Sequence, residues 1–324
     1  MRFRTSIPSA LHALAVFSIG VALSPTTFAQ SGAESYPDKP VRIIVPFAPG
    51  GSTDLIGRTL AQKMSETWNQ TVVVENRGGG ATIIGTEAAI KSKPDGYTLL
   101  IGVSTLATNP AMQPKLPYDT MRDLEPISMV ARAPIVAYIN PGFAPQDLKG
   151  LIAFAKSTAG GVHYGSGGTG TVTHLAAELL KDRTGAPLTH IVYKGGTPAM
   201  ADAIAGHIPM TFATVGQALQ HYRAKQLRAL GVTSAERYPS IPDVPTFKEQ
   251  GIDIVTSEWF ALFAPAGTPK PIIDKLNAEV RKIVALPNLA DRLTAIELIS
   301  SSPQELADFV RRETNQWGEL IRKV

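Results

Sequence analysis

The stretch Ile43–Trp68 constrains the fold most, because its pattern changes abruptly from extended to helical. The β-branched run Ile43–Val45 is typical of a strand, and apolar residues recur at helical spacing from Leu55 onward. Only Pro46–Ser52, which contains two prolines and two glycines, separates the two patterns. We therefore predict a strand, a tight turn and a helix in immediate succession.

The turn Pro46–Ser52 is also the first candidate for a binding site. The first backbone N–H groups of a helix have no partner within the helix, and glycines let another molecule approach them closely. The sequence therefore predicts that an anion, most simply a carboxylate, binds here. Asp54 in the first helical turn has two interpretations: it caps the helix, which we favour, or it orients the loop or water around a ligand.

Strands and helices then alternate along the chain. Strands are predicted at Val41–Phe47, Thr71–Glu75 and Tyr97–Val103 with helices between them, which indicates βαβ units and a parallel sheet covered on both faces. The order of strand, glycine turn and helix recurs further along, with turns at Gly165–Gly170 and Lys194–Gly196. We predict two doubly wound α/β lobes whose glycine turns lie at the carboxyl ends of the strands, where such sheets hold ligands.

Two apolar runs, Ile135–Ile139 and Glu258–Ala264, are candidate crossover strands between the lobes. No strand is predicted after the second run, so the terminal helices should pack back on the first lobe. These predictions place lobe 1 at residues 36–137 plus 256–324 and lobe 2 at residues 138–255.

The amino-terminal segment 1–29 is predicted to be a signal peptide. Arg2 and Arg4 precede the apolar run Leu11–Leu23, and Thr27–Ala29 has the small residues of a cleavage site. The alternative, a membrane anchor, is disfavoured because the apolar run is short for a helix that spans a bilayer. We expect the mature chain to be exported, free and soluble.

Composition excludes several classes of function. The sequence has no cysteine, so disulfides, thiol chemistry and a lipid anchor on cysteine are excluded. No block of Lys and Arg interleaves with aromatic residues as nucleic-acid binding would require, which favours a solvated surface of mixed charge. Export argues against ATP- or NAD-dependent chemistry, so no cofactor is expected.

The turn Gly165–Gly170 formally matches the dinucleotide fingerprint Gly-x-Gly-x-x-Gly. The next strand ends at Lys194, without an acidic residue for a ribose hydroxyl, which disfavours a nucleotide site. We favour an anion-binding turn, because the hydroxyls of Ser166, Thr169 and Thr171 suit carboxylate oxygens. The remaining alternative is a purely structural turn.

Catalytic and metal sites find little support. No Gly-x-Ser-x-Gly motif is present, and the serines of the glycine turns have no base at a recognisable spacing. The histidines beyond the signal peptide lack the spacing of metal ligands. His174 is the one candidate of interest, and even there a hydrogen-bonded packing role is favoured.

Nine short sequence runs occur in order over essentially the whole mature chain. They are Pro46–Asp54, Val74–Arg77, Asp95–Leu100, Tyr164–Ser166, His190–Gly196, Leu227–Leu230, Val232–Arg237, Pro242–Thr246 and Phe263–Pro269. Together they closely resemble the Bug (Bordetella uptake gene) family, the periplasmic solute-binding proteins of tripartite tricarboxylate transporters.

This resemblance implies a type II periplasmic-binding-protein fold, a periplasmic location and integral membrane subunits of such a transporter as partners. It also implies a small carboxylated ligand in the cleft between the lobes. In the family, the proline-glycine loop after the first strand holds one ligand carboxylate, partly through ordered waters. That role would fall here on Phe47, Gly50, Gly51 and Ser52, with the turn Gly168–Thr171 opposite.

The chain departs from the family pattern at two places. Gly78–Gly80 stands where relatives commonly have Pro-Gly-Ala, which should only loosen that turn. Ala213 stands where many relatives have Asp, which removes the obvious partner for a ligand ammonium. We therefore expect a di- or tricarboxylate or an aromatic acid rather than an amino acid.

A cluster of small polar residues after the strand near Val103 also suits an oxygen-rich ligand, although a plain turn is nearly as well supported. The complete set of predicted ligand-binding residues is Phe47, Gly50, Gly51, Ser52, Asp54, Ser104, Thr105, Thr108, Asn109, Ser166, Gly168, Thr169, Gly170, Thr171, Tyr193, Ala213 and Thr214. We expect a monomer. The alternatives are a sensor or accessory protein of the same fold and, less well supported, an exported α/β hydrolase.

Overall fold

The computed structural model describes residue 1 and residues 35–287, 289, 293 and 295–322, with only the backbone described at Leu320. The predicted signal peptide therefore lies outside the described residues, apart from residue 1. Within the part that is described, no helix combines the length and the apolar character needed to cross a membrane.

The described residues form ten strands, β1 to β10, and ten helices, α1 to α10. The strands are β1 Val41–Val45, β2 Val72–Asn76, β3 Thr98–Val103, β4 Leu124–Ile139, β5 Val162–Gly165, β6 Leu188–Ile191, β7 Met210–Thr214, β8 Arg228–Val232, β9 Ser257–Pro265 and β10 Glu297–Leu298. The helices are α1 Ser52–Trp68, α2 Ile83–Ile90, α3 Thr105–Met112, α4 Thr120–Asp123, α5 Leu148–Ser157, α6 Val172–Thr184, α7 Gly196–Ala205, α8 Val215–Arg223, α9 Lys270–Val284 and α10 Pro303–Ile321.

The strands form one mixed sheet in the order β2-β1-β3-β9-β4-β7-β5-β6, with β8 and β10 also paired to β4. We call the part from β2 to the first half of β4 lobe 1, and the part from the second half of β4 to β6 lobe 2. The pairs β1–β2, β1–β3, β5–β6 and β5–β7 are parallel, whereas β9 and β4 run antiparallel to their neighbours. The predicted α/β fold of two lobes is confirmed.

Both faces of the sheet are covered, which explains the continuous apolar runs in the sequence. In β1, Ile43 and Val45 belong to one buried cluster and Ile44 to another. In the second half of β4, Ile135 and Ala137 likewise belong to a different cluster from Val136. Side chains alternate between the faces of a strand, so helices pack on both sides of each lobe.

Strand β4 belongs to both lobes. Its residues Leu124–Pro134 pair with β9, and Ile135–Ile139 pair with β7 and β8. The predicted crossover strand Ile135–Ile139 is therefore the second half of a sixteen-residue strand. The return crossing differs from the prediction: β9 pairs only with strands of lobe 1 among the described residues, and the chain crosses in the segment just before Ser257.

The return crossing is held to lobe 2 by one threonine. The backbone N–H of Thr256 donates to the carbonyl of Thr233 at 3.1 Å, and the Thr233 hydroxyl donates to the carbonyl of Thr256 at 2.6 Å. An apolar run looks the same in sequence whether it crosses between lobes or lies at the centre of a sheet, so the two could not be distinguished. The exact domain boundaries stay a prediction.

The terminal helices pack back on lobe 1, as the sequence indicated. Asn277 of α9 is buried, and its side-chain amide donates to the carbonyls of Ile127 and Ser301, both at 2.7 Å. Helix α10 places Trp317 in the same buried cluster as Trp259 of β9. These contacts anchor the carboxyl-terminal helices to β4 and β9.

Helix α2 approaches the loop after β1 so closely that only glycine fits at position 85. A Cβ on Gly85 would lie 2.6 Å from the carbonyl oxygen of Arg77 and 2.9 Å from Cα of Pro46. Because both neighbours are backbone atoms, the loop or the helix would have to move.

We therefore expect Gly85→Ala to lower the free energy of unfolding by about 1–3 kcal/mol, the usual cost of overpacking. The matched control is Gly318→Ala in α10, where the nearest atom is the flexible end of Arg322 at 3.4 Å. The control should be neutral or stabilising by up to about 1 kcal/mol, because alanine favours helix. Urea unfolding of both variants measures the difference, and equal stabilities would contradict the close approach.

Candidate functional site

A cleft between the two lobes is lined by five of the seventeen predicted binding residues and by nine further residues. It has a volume of about 500 Å³, which includes space open to solvent. Lobe 1 contributes Phe47, Ala48, Gly51, Ser52, Thr53, Glu258 and Phe260, and lobe 2 contributes Gly167, Thr171, Thr173, Gly196, Thr197, Thr214 and Gln217. None of these lining residues is basic, so a bound anion would have to be held by backbone N–H groups, hydroxyls and the amide of Gln217.

The amino terminus of α1 opens into this cleft from lobe 1. Its N-cap residue is Gly51, in an extended conformation, and no side chain caps the helix. Gly51, Ser52 and Thr53 all line the cleft. The unpaired N–H groups and the positive end of the helix dipole therefore face the cleft, at the turn where the sequence predicts an anion site.

A second open terminus, that of α7, faces it from lobe 2. Its N-cap residue Gly195 has φ +129°, and again no side chain caps the helix. Gly196 and Thr197 line the cleft, and a Cβ on Gly51 would lie 3.9 Å from the Thr197 hydroxyl. Two uncapped helix termini from different lobes thus meet at one place.

The sequence analysis did not include Gly196 or Thr197 among the site residues. The signal was present, since Gly195 and Gly196 follow a strand and Pro198 falls in the first helical turn, where proline is favoured. A terminus that begins with glycines has no side chain to cap itself.

The turn Gly165–Gly170, by contrast, uses its own N–H groups. Gly167 donates to Thr173 Oγ1 at 3.0 Å, Gly168 to Ser166 Oγ at 3.1 Å and Gly170 to His174 Nδ1 at 3.2 Å. Hydroxyls next to a turn bond its amides readily, and this local competition was underestimated in the sequence. These three amides are therefore already hydrogen-bonded within the protein, which favours a purely structural turn over an anion-binding turn at these positions.

The helices α6 and α8 are also capped by their own side chains. Thr171 Oγ1 accepts from the N–H of His174 at 3.4 Å, and Thr214 Oγ1 accepts from the N–H of Gln217 at 3.3 Å. Thr171 and Thr214 nevertheless line the cleft. Only α1 and α7 present uncapped termini there.

Two direct contacts join the lobes around the cleft. Ser52 Oγ and Thr214 Oγ1 lie 2.9 Å apart at the amino termini of α1 and α8. Behind them, the Thr108 hydroxyl donates to the carbonyl of Gly170 at 2.6 Å. The first pair is neutral and part-exposed, and the second is buried.

Asp54 organises the loop before α1. Its carboxylate accepts from the Gly50 amide at 3.0 Å, from Arg58 Nε at 2.9 Å and from Asn76 Nδ2 at 2.9 Å. Burial would raise the pKa of Asp54, but these hydrogen bonds and the Arg58 charge outweigh burial and lower it. The Asp54 side chain does not line the cleft. It orients the loop, which was the second of the two interpretations. Because it accepts from the Gly50 amide, that amide is already hydrogen-bonded within the loop.

The polar cluster after β3 lies behind the cleft and not on its surface. Thr105 Oγ1 lies 2.6 Å from Thr82 Oγ1, and the Asn109 amide donates to the carbonyl of Ala81 at 2.9 Å. The Ser104 amide donates to Glu258 Oε1 at 2.9 Å. These residues support the cleft wall through their neighbours.

Two further predicted residues lie away from the cleft. The Tyr193 hydroxyl donates to Asp202 at 2.7 Å. Ala213 packs in the core of lobe 2 beside Val136 and Val215. Of the seventeen predicted residues, the cleft is lined by Phe47, Gly51, Ser52, Thr171 and Thr214. Gly168 and Thr169 belong to the turn next to it without lining it.

The sequence analysis missed the one charged residue that lines the cleft. Glu258 is the second residue of β9, directly before its apolar run. Its side chain is buried, with Oε1 accepting from the amides of Ser104 and Trp259 at 2.9 and 3.2 Å. Burial, helped by the nearby acid Glu313, raises the pKa of Glu258 to about 7. An acidic residue inside an apolar run was the available signal.

A serine and a histidine also pair in lobe 2, although no recognisable spacing in the sequence brings a base to the turn serines. Ser166 Oγ lies 2.7 Å from His190 Nε2, because parallel pairing of β5 with β6 brings His190 beside Tyr164. Ser166 is fully buried and also accepts from the Gly168 amide, so it braces the turn. His174 packs against His190 with ring centres 4.3 Å apart, which confirms its packing role.

Comparison with known proteins gives one family. The family described as "Tripartite tricarboxylate transporter family receptor" matches residues 56–324. The solved periplasmic binding protein BugD is 33% identical, with a TM-score of 0.85 and coverage of 89% of this chain and 98% of BugD. The suspected Bug-type resemblance is confirmed.

Two other similar proteins were solved with a small dicarboxylate. MatC from Rhodopseudomonas palustris with bound malate is 28% identical, with a TM-score of 0.84 over 88% of this chain and 100% of MatC. Rpa4515 of R. palustris with adipate is 31% identical, with a TM-score of 0.86 over 89% of this chain and 97% of Rpa4515.

The role of Asp54 gives a first prediction for this site. Asp54→Asn should lower the free energy of unfolding by about 1–3 kcal/mol at pH 7, because three donors, those of Gly50, Arg58 and Asn76, lose a charged acceptor. The folded pKa lies below the ordinary value of 3.8, so the contribution of Asp54 is present above that value and is lost as the pH falls. The difference between variant and wild type should therefore shrink below about pH 4.

Urea unfolding at pH 7 and at pH 3.5 measures this effect. Asp274→Asn is the control, because Asp274 pairs with Lys270 on the exposed face of α9 and should matter little. A constant difference between Asp54→Asn and wild type at both pH values would contradict the role of the charge.

The histidine pair predicts sensitivity to acid. Burial, together with the charge of His174, lowers the pKa of His190 from 6.5 to about 4. Between these values the unfolded chain binds a proton that the folded chain does not, so the wild type should lose stability as the pH falls through this window. His190→Gln should lose less, as measured by thermal unfolding from pH 7 to pH 4.5. The control His163→Gln alters an exposed histidine on β5 and should follow the wild type.

Proposed function

This chain belongs to the tripartite tricarboxylate transporter receptor family, and on that premise we propose that it captures a small dicarboxylate in its cleft for a transporter. Proteins of this family are periplasmic solute-binding proteins, so the chain is a binding protein and not an enzyme. Proposed with it are cleavage of the segment 1–29 on export, a monomeric state, and delivery of the ligand to integral membrane subunits of the transporter.

The observation that carries the ligand class is the meeting of two uncapped helix termini. Each offers unpaired N–H groups and a positive dipole end, and both attract a carboxylate. Because the α1 terminus belongs to lobe 1 and the α7 terminus to lobe 2, a ligand with two carboxylates can engage both at once. The malate and adipate in the two solved relatives support a ligand of this size and charge.

The free energy that each helix terminus can contribute to binding explains why both lobes are needed. A micromolar complex requires about −8 kcal/mol. A charge-assisted hydrogen bond contributes about 1.5–3 kcal/mol and a helix terminus about 0.3–2 kcal/mol, against the entropy lost on association. One terminus is therefore too weak by itself. Donors from both lobes must converge on one ligand, which makes closure of the cleft the signal that membrane subunits can read.

Selectivity against amino acids does not follow from Ala213, because the Ala213 methyl group packs in the core of lobe 2 and does not face the cleft. A ligand ammonium would face the positive ends of two helices. The residues that line the cleft include no basic residue and one carboxyl group, that of Glu258. We keep dicarboxylates as the proposed class, with tricarboxylates, aromatic acids and amino acids as the competing ligands to be measured.

A sensor or accessory role remains the second candidate, because it needs the same cleft and differs only in the partner that reads closure. Calorimetric titration with malate, adipate, citrate, benzoate, aspartate and glutamate tests the ligand class. We expect malate or adipate, the dicarboxylates without an amino group, to bind most tightly, and tight binding of only an amino acid or an aromatic acid would overturn the proposal.

Two substitutions at position 52 distinguish the contribution of the Ser52 hydroxyl to binding from that of the Ser52 amide. Ser52 is the first residue of the helix, where proline is well tolerated and removes only an N–H that has no helical partner. Ser52→Ala should weaken dicarboxylate binding about 2–10-fold through loss of one neutral hydrogen bond. Ser52→Pro should weaken it at least about tenfold further, because a charge-assisted bond is also lost.

Thr67→Ala is the control for these variants, because Thr67 is exposed at the far end of the same helix. It should bind like the wild type, and all three variants should unfold at similar urea concentrations. If Ser52→Pro bound as tightly as Ser52→Ala, the amide would have no part in holding the ligand.

A further inference from the structure

Glu258 is the feature of the cleft that the proposed function leaves unexplained. It is an acidic residue that lines a cleft proposed to bind anions, and no basic residue lines the cleft beside it. An ionised carboxylate here would repel the ligand that the two helix termini attract. Glu258 therefore either weakens anion binding as an ionised carboxylate or takes part in binding in its protonated form.

The backbone fixes the position of this side chain. Oε1 accepts from the Ser104 amide at 2.9 Å and from the Trp259 amide at 3.2 Å. Both amide bonds end on Oε1, so the backbone does not hold Oε2. Glu258 and Phe260 alternate with Trp259 along β9; the first two line the cleft and Trp259 packs in the core. The carboxyl is thus presented to the cleft by a rigid central strand and not by a mobile loop.

The surroundings of Glu258 favour its neutral form. Across β4 the residue opposite is Ala133, and the cleft walls from α6 and α8 contribute neutral groups, namely Thr171, Thr173 and Gln217. The titratable group that acts on it is Glu313 of α10, another acid. Burial, with a smaller contribution from this like charge, outweighs the hydrogen bonds from Ser104 and Trp259, which lower the pKa, and raises the pKa of Glu258 to about 7 before any ligand is bound. A ligand carboxylate would add a second negative charge and raise the pKa further, as in paired carboxylates that share one proton.

We propose that Glu258 binds the ligand as a protonated acid, donating a hydrogen bond from its carboxyl to a ligand carboxylate, so that capture of the ligand takes up a proton. This rests on the proposed function, because it needs an anionic ligand. The proton comes from solvent, forms an O–H bond on Glu258 and returns to solvent when the ligand leaves. A donor O–H to a carboxylate is among the stronger hydrogen bonds available. The same group accepts rather than donates when ionised, so it selects for carboxylates at low pH and against them at high pH.

The direct test is calorimetric titration of the wild-type protein with malate and with adipate in pairs of buffers that differ in ionisation enthalpy. The difference in heat gives the number of protons taken up per ligand. We expect little uptake at pH 5.5, where Glu258 already carries its proton, and uptake approaching one proton near pH 8. The affinity should fall by up to about tenfold for each pH unit above the pKa of free Glu258.

Glu258→Gln is the matched variant, because the amide has the same shape and donates permanently without a charge. It should take up no proton and bind with an affinity that does not change from pH 5.5 to pH 8, exceeding the wild-type affinity at the upper end. Glu258→Ala should bind more weakly than Glu258→Gln at every pH, because it has no donor.

The outcomes separate the two proposals. Dicarboxylate binding without proton uptake at pH 8, or loss of binding in Glu258→Gln at all pH values, would overturn the role of Glu258 while leaving the cleft as the binding site. Failure of the wild type to bind either dicarboxylate at pH 5.5 would overturn the proposed function, and the role of Glu258 with it. The wild-type proton count does not depend on the folding of any variant.

Discussion

The cleft depends on backbone N–H groups that have no partner in the protein. Helix α1 begins after Gly51 and α7 after Gly195, and neither glycine can supply a capping side chain. Leaving such donors unpaired is unfavourable unless water or a ligand binds them, so under the proposed function the two termini would both attract an anion. The neighbouring helices α6 and α8 are capped by Thr171 and Thr214, which confines that affinity to one place.

If the cleft binds anions as proposed, without a basic residue in its lining, a single proton on Glu258 can change its affinity. A guanidinium in the wall would attract every anion at every pH, whereas amide dipoles attract less strongly and leave the balance sensitive to Glu258. Two like charges 4 Å apart cost about 4 kcal/mol at an effective dielectric constant of 20. That cost is comparable to the gain from one or two charge-assisted hydrogen bonds, so the protonation state of Glu258 can decide whether a carboxylate is held.

Sequence patterns predicted the features whose causes are local. The strand, turn and helix around Pro46–Ser52 follow from neighbouring residues, and β1 and α1 are found where that pattern indicated. Groups brought together from distant segments were missed: Gly196 and Glu258 enter the cleft through sheet order, and His190 reaches Ser166 through the pairing of β5 with β6. The turn Gly165–Gly170 was misjudged for a different reason, because its own hydroxyls satisfy amides that looked available.

The contacts between the lobes differ in strength in a way that suits opening and closing. Strand β4 runs unbroken through both lobes, and its ladder bonds to β7 and β9 would have to break for the lobes to separate. At the cleft, Ser52 and Thr214 share one hydrogen bond between neutral hydroxyls, which is worth about 0.5–1.5 kcal/mol and is replaced easily by water. Opening the cleft would also break the buried hydrogen bond from the Thr108 hydroxyl to the carbonyl of Gly170. Under the proposed function, a ligand bonded to the termini of both α1 and α7 would supply free energy that holds the lobes together.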